Sequence, residues 1–145
     1  MLSYRLLHPA ILESLASAGH GSRVLIADGN YPLATRTAPR ARLVYLNLRP
    51  GLVSVTAVLE TLLTAIPVEA AHVMLPDDGS EPEILSEFRA LLPHCELQGV
   101  GRFAFYDLAC SSDVALAIAT GEQRLWANIL LTIGVVPPPT REAPR

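Results

Sequence analysis

Apolar and polar positions change period several times along the chain, and each change marks an element. Pro9 suits the first turn of a helix, and Ile11, Leu12 and Leu15 then recur at helical spacing as far as Ala18. Gly19 is expected to stop this helix in the left-handed conformation. Residues 24–27 are a short unbroken apolar run, as in a strand buried on both faces, and the polar turn Asp28-Gly29-Asn30 ends it. A loop rich in Arg, Pro and Thr spans 33–42, a strand-like run comes next at 43–48, and Arg49-Pro50-Gly51 turns the chain. Helical spacing returns over 53–66 with Val55, Val58, Leu59, Leu62 and Leu63, until Pro67. Residues 71–75 predict a strand, and 81–92 an amphipathic helix with Ile84, Leu85, Phe88, Leu91 and Leu92 on one side.

A short strand is expected around Leu97, and a helix over 102–109 whose aromatics Phe103, Phe105 and Tyr106 enter the core. Residues 114–119 and 129–133 are the clearest remaining strands. Strands alternating with helices predict a single three-layer α/β domain over residues 1–136, a central mixed sheet with helices on both faces. From Pro137 the composition turns to Pro, Thr, Arg and Glu, which predicts an extended, poorly ordered tail over 137–145.

Composition narrows the function classes. With 145 residues, half of them hydrophobic and 17% charged, the chain can bury a core of its own and disorder of its body is excluded. No apolar run approaches the roughly 18 residues a membrane span needs. The N-terminus lacks the pattern of a secretory leader, so a cytoplasmic location is expected. Net charge is −3 and the 11 basic residues are scattered, with no interleaved aromatics, which argues against nucleic acid. All of them are arginines; without a lysine the chain has neither a Schiff-base amine nor the phosphate lysine of a P-loop. Cys95 and Cys110 have no CxxC spacing and no nearby histidine, so both are read as buried or half-buried small hydrophobes, with no metal site, disulfide or cofactor expected.

Few residues remain that can carry chemistry. His20 lies between Gly19 and Gly21, just before a buried strand, where the backbone bends sharply and leaves the imidazole unobstructed; an idle loop histidine is the alternative. Asp28 ends that strand, either as a turn residue satisfying backbone amides or as a carboxylate for a sugar hydroxyl or an imidazole. A histidine and a carboxylate together form an acid–base pair that titrates near neutral pH. Arg102 opens the aromatic helix, with a plain surface arginine as the alternative. Trp126 beside Asn128 reads either as a core aromatic next to a turn, or as an indole that stacks on a pyranose while the amide reads hydroxyls. His8 is read as supporting the helix start, with a pocket role as the alternative, His72 as a satisfied core residue and His94 as solvated. Asp28 at a strand end also fits a nucleotide-dependent α/β enzyme, but that strand is not succeeded by a glycine-rich phosphate loop.

Taken in order, His8-Pro9, Ala18-Gly19-His20-Gly21, the segment from Val24 through Asp28-Gly29-Asn30-Tyr31-Pro32, Gly101-Arg102-Phe103-Ala104-Phe105-Tyr106, Ala119-Thr120-Gly121-Glu122 and Trp126-Ala127-Asn128 form a specific series. It resembles the D-ribose pyranase / L-fucose mutarotase family from about His8 to Val135, and the Arg102-Phe-Ala-Phe-Tyr version is similar to the fucose branch. The resemblance implies an isomerase of carbohydrate metabolism that interconverts anomers or ring forms of a free monosaccharide without a cofactor or metal. It implies His20 as the catalytic acid, and Asp28, Arg102 and Asn128 as sugar-binding residues, with Trp126 standing where tyrosine is common. It also implies a ring-shaped homo-oligomer, decameric in several members, whose pockets a neighbouring subunit completes. Ser22 replaces a usual aspartate, which is expected to change only a local cap. Because Trp126 lacks the tyrosine hydroxyl, a non-catalytic sugar-binding or regulatory protein on the same scaffold is the rival reading.

Overall fold

The computed structural model describes residues 1–141. Among these, helices α1 (Pro9–Ser17), α2 (Val55–Leu62), α3 (Ile84–Leu91) and α4 (Arg102–Ala109) alternate with strands β1 (Arg23–Ala27), β2 (Arg42–Tyr45), β3 (Val68–Leu75), β4 (Leu97–Gly101), β5 (Val114–Ala119) and β6 (Ile129–Ile133). The strands form one mixed sheet in the order β2-β5-β1-β6-β3-β4. All neighbouring pairs are parallel except those of β6, which runs antiparallel to both β1 and β3. β6 therefore begins beside the ends of β1 and β3 and finishes beside their beginnings.

Side chains alternate across a strand, so β1 splits the apolar residues into two clusters. Val24 and Ile26 pack with Ile11 of α1, Val55, Val58, Leu59 and Leu62 of α2, and Ile84, Leu85 and Phe88 of α3. Leu25 and Ala27 pack on the opposite face with Phe105, Tyr106 and Ala109 of α4 and with Tyr31, Leu33 and Ala38 from the long loop. This is the expected three-layer α/β arrangement. His8 Nδ1 accepts the Ile11 amide at 3.4 Å and caps α1, while Ser54 Oγ accepts the Ala57 amide at 3.1 Å and caps α2.

Several local expectations change. Gly19 does not end α1 in the left-handed region; Ala18 leaves the helix extended, and Gly21 supplies the positive φ, at 85°, two residues later. Strand β3 starts three residues before the expected position, and β4 includes Gly99 and Gly101; a Cβ at position 99 would lie 2.2 Å from Leu75 Cδ1, so that position takes glycine. Phe103 projects to solvent while its neighbours Phe105 and Tyr106 are buried, since an eight-residue helix on one sheet face buries only one stripe. Cys95 is half-buried but Cys110, just past α4, is exposed. His72 is half-buried rather than a satisfied core residue, and its Nδ1 has no partner among the described residues. Residues 137–141 are exposed without regular structure, whereas 142–145 of the expected tail lie outside the described residues. Among the described residues, no helix is long and apolar enough to cross a membrane.

Candidate functional site

The reversed strand brings the turn after β1 against the segment leading into β6, and two polar side chains meet there out of solvent. Asp28 is 5% exposed and Asn128 3%. The Asp28 amide donates to Asn128 Oδ1 at 2.8 Å, and Asn128 Nδ2 donates back to Asp28 Oδ2 at 3.2 Å. Asp28 Oδ2 also accepts the Ala127 amide at 3.2 Å, while Oδ1 accepts the Asn30 amide at 2.9 Å. Burial raises the Asp28 carboxyl above its ordinary value of 3.8, although the surrounding amides pull the other way. Its donors are all neutral, and Oδ1 holds one of them, so this oxygen retains capacity for a further O–H donor.

This pair is the floor of a cavity of ≈ 240 Å³ whose walls include Trp126, Arg102, Tyr106, Tyr31 and Met74. The volume is below the about 300–1,000 Å³ of drug-sized pockets and suits one monosaccharide ring. Trp126 has φ of 62°, a left-handed conformation rarely taken by a bulky residue. The amide of the next residue, Ala127, is anchored on Asp28, so the carboxylate also holds the indole at the cavity wall. Arg102 Nε donates to the Tyr106 hydroxyl at 3.0 Å, and its guanidinium lies 5.5 Å from the centre of that ring. Among the described residues its terminal nitrogens make no hydrogen bond, and Arg102 lines the cavity. Tyr31 braces Tyr106 edge-on, with ring centres 5.4 Å apart, and donates its hydroxyl to the Arg36 carbonyl at 2.7 Å. Burial raises the Tyr31 phenol well above its ordinary value, so it stays a neutral donor.

Asp28, Arg102, Trp126 and Asn128 thus share one cavity. His20 does not join them within the chain. It precedes β1 while Asp28 comes after it, and five strand residues rise about 16 Å. Asp28 therefore does not orient this imidazole; Glu69 does, with its Oε2 2.9 Å and its Oε1 3.1 Å from His20 Nε2. Ser22 Oγ accepts the Gly19 amide at 3.2 Å. Tyr31, Tyr106, Met74, Asn30 and Leu125 line the cavity without having been singled out as ligand contacts from sequence. Asn30 and Tyr31 share the turn of Asp28, and Tyr106 lies one helical turn after Arg102, a spacing that signals a shared face. Met74 carries no such signal.

A second, larger cleft of ≈ 370 Å³ adjoins, lined by Gly29, Asn47, Arg49, Thr120 and Gln123 among others. Its buried carboxylate, Glu122, is turned to protein partners. Arg124 Nε and Nη2 reach Glu122 Oε1 and Oε2 at 3.0 and 3.1 Å, and the Val55 amide reaches Oε2 at 3.2 Å. Of the two buried carboxylates, Asp28 is the one that keeps an acceptor site toward its cavity.

Comparison with known proteins identifies the family and the fold. The sequence profile described as the RbsD / FucU transport protein family matches residues 1–136. A fucose mutarotase from Danio rerio is 32% identical over 145 residues, covering 91% of each chain. Bacillus subtilis RbsD complexed with D-ribose superposes with a TM-score of 0.81 at 25% identity, covering 94% of this chain and 99% of that one. The fucose mutarotase of Streptococcus pneumoniae in complex with L-fucose gives 0.80 at 25% identity with the same coverage. A family match across nearly the whole chain, on the same fold, establishes that this chain belongs to the RbsD / FucU family.

Proposed function

We propose that this chain is a mutarotase that interconverts the ring forms or anomers of a free monosaccharide, with L-fucose as the first candidate. The observation that carries the reading is the buried Asp28–Asn128 pair, whose carboxylate keeps an unfilled acceptor at the floor of a monosaccharide-sized cavity. The names of the relatives support the same chemistry. Asp28 Oδ1 accepts a sugar hydroxyl, Asn128 holds the carboxylate in place, Trp126 stacks on the C–H face, and Arg102 donates to hydroxyls from the rim.

Mutarotation requires that a base take the anomeric O–H proton while the ring C–O bond breaks and the ring oxygen gains a proton. The open aldehyde then rotates and recloses by the reverse steps. Acid–base groups in such a step contribute typically about 10²–10⁴-fold. In this reading His20 transfers the proton, and it reaches the cavity of a neighbouring copy rather than its own. Phe103 and Leu125, 67% and 65% exposed beside the cavity, are the apolar rim such a neighbour would cover. The family match ends at residue 136, which supports 1–136 as the catalytic body.

Saturation-transfer NMR between anomers, on a panel including L-fucose and D-ribose, tests the activity, and light scattering tests the homo-oligomer. Exchange above the spontaneous rate, abolished in His20→Ala with assembly retained, is the expected result. Unchanged exchange in that variant removes His20 from the mechanism, and a monomer mass at micromolar concentration removes the shared pocket. The rival is a non-catalytic sugar-binding protein, favoured by one observation: among the described residues of a single chain, no imidazole lines the cavity. Sugar binding without exchange would decide for it.

A further inference from the structure

The larger cleft has a use of its own. Tyr45 ends β2, and Asn47 and Arg49 come two and four residues later, the period that puts side chains on one side of an extended chain. Leu46 between them turns to the core, and its amide continues the ladder to the Ala119 carbonyl at 2.9 Å. Asn47 and Arg49 line the cleft, and Tyr45 and Asn47 line a trough of ≈ 380 Å³ that continues it. Both lie outside the carboxyl ends of the parallel strands β1, β5 and β2, where open α/β sheets take ligands. Asn30, in the turn after β1, lines this cleft and the smaller cavity alike. The cleft floor is fixed by backbone. Gly51 donates its amide to the Gly121 carbonyl at 2.7 Å, and Gly121 donates to that of Val53 at 3.0 Å. A Cβ at position 121 would lie 2.0 Å from the Leu52 carbonyl oxygen, so only glycine lets the two loops approach this closely.

Two charged side chains line this cleft, Glu122 and Arg49. Arg124 already matches the Glu122 carboxylate. Arg49 is exposed and forms no ion pair among the described residues; its side-chain bond, from Nη1 to the Pro50 carbonyl, is long at 3.5 Å. We propose that this cleft binds a sugar acid, a polyhydroxylated monocarboxylate, with Arg49 forking onto the carboxylate and the amides of Asn47 and Gln123 taking hydroxyls. A guanidinium meets a carboxylate through two parallel N–H bonds, and a primary amide both donates and accepts, as a hydroxyl requires. One uncompensated cation suits one negative charge. A phosphate dianion needs further donors, and the first turn of α2 has none to spare here: the Val55 amide goes to Glu122 and the Ala57 amide to Ser54. The cleft volume of ≈ 370 Å³ lies within the about 300–1,000 Å³ of small-molecule pockets. The site is separate from the smaller cavity and does not depend on what that cavity turns over.

The test is calorimetric titration of the full-length protein with D-glucuronate, D-galacturonate and D-gluconate, beside D-glucose, D-glucose 6-phosphate and acetate. At least one of the three acids is expected to bind about tenfold or more tightly than D-glucose or acetate, and to weaken as salt is raised. Arg49→Gln loses about tenfold or more of that affinity, the size of a lost charge-assisted hydrogen bond. Arg49→Lys keeps the charge without the fork and loses less. Asp28→Asn, which acts on the smaller cavity, leaves acid binding unchanged. These measurements need no exchange activity, so a failure of the mutarotase reading leaves them decisive. Acid binding that survives Arg49→Gln overturns the proposal, and so does its loss in Asp28→Asn, which would put the acid in the smaller cavity. Tighter binding of D-glucose 6-phosphate makes the cleft a phosphate site, acetate equal to the acids removes the sugar, and no binding of any acid at millimolar concentration removes the site; each result overturns it.

Discussion

Asp28 and Glu122 are both buried carboxylates, 5% and 6% exposed, at the same end of the sheet, yet their surroundings drive them in opposite directions. Asp28 is held by neutral amides and, among the described residues, forms no ion pair, so burial prevails and its carboxyl sits above the ordinary 3.8. Burial pushes Glu122 upward too, but the Arg124 guanidinium and the Arg124 and Val55 amides outweigh it, leaving the carboxyl below its ordinary 4.5. Arg124 is in turn bound to Glu87 at 2.7 Å, which ties the approach to β6 to helix α3. A charge neutralised inside the protein has its acceptors filled and fastens structure together. A charge held by neutral donors keeps capacity toward a cavity, and that capacity is what a hydroxylated ligand can use.

The sharpest way to break this contrast is Glu122→Gln. The amide opposes guanidinium donors with an NH₂ group and leaves Arg124 with Glu87 as its remaining anionic partner, a change that costs about 3 kcal/mol for largely buried pairs. Urea unfolding at pH 7 is expected to show that loss while the remaining folded protein binds sugar normally. The lowered carboxyl sets the sign of the pH dependence. The stabilisation is present above 4.5 and fades as pH falls through the depressed folded value, so the gap between wild type and variant closes on acidification. A gap constant down to pH 3 would remove the ion pair as its cause.

Asp28→Asn is expected to act on the ligand first. A hydrogen bond to a charged acceptor is worth about 1.5–3 kcal/mol, so sugar affinity should fall roughly 10–150-fold by calorimetry. Wild-type binding should weaken on acidification with a midpoint above 3.8, where the carboxylate is protonated, and the asparagine variant should lack that step. Equal affinities would return Asp28 to the purely structural class of Glu122. The smallest expected effect is Trp126→Tyr. If the indole acts as a stacking wall, exchange changes by less than tenfold, about 1.4 kcal/mol in barrier. A tenfold gain at unchanged affinity would instead assign a proton relay to the hydroxyl that this chain lacks.

Much of this architecture is legible in the residues themselves, and the exceptions have physical causes. Strands β5 and β6 and helix α4 occupy the expected residues because their apolar runs are bounded by turn-forming or charged positions. Strand β3 starts earlier because the bulge at Glu69 places a charged residue inside the strand and breaks the apolar run. The convergence of Asp28 with Asn128 is a long-range event, 100 residues apart, and local period carries no trace of it; only the ordered series of motifs pointed there. That same series could not say that His20 and Asp28 lie at opposite ends of β1, since eight positions in sequence read equally well as a turn or as a strand. The Glu69 partner of His20 was invisible for a similar reason, 49 residues away and aimed by an irregularity rather than a pattern.

The orientation of β6 has a consequence for how such a chain can change over evolutionary time. Its first end sets Asn128 beside Asp28, and its last end gathers the turn of His20 and the bulge of Glu69. A strand's side-chain period is two, so a single-residue insertion or deletion within Ile129–Ile133 would swap the faces of every later strand position and displace one cluster relative to the other. Exposed loops such as 77–81 are free to lengthen or shorten without that penalty. Length variation among diverging copies should therefore collect in those loops, and β6 should keep its count of residues even where nearly every side chain along it has been exchanged.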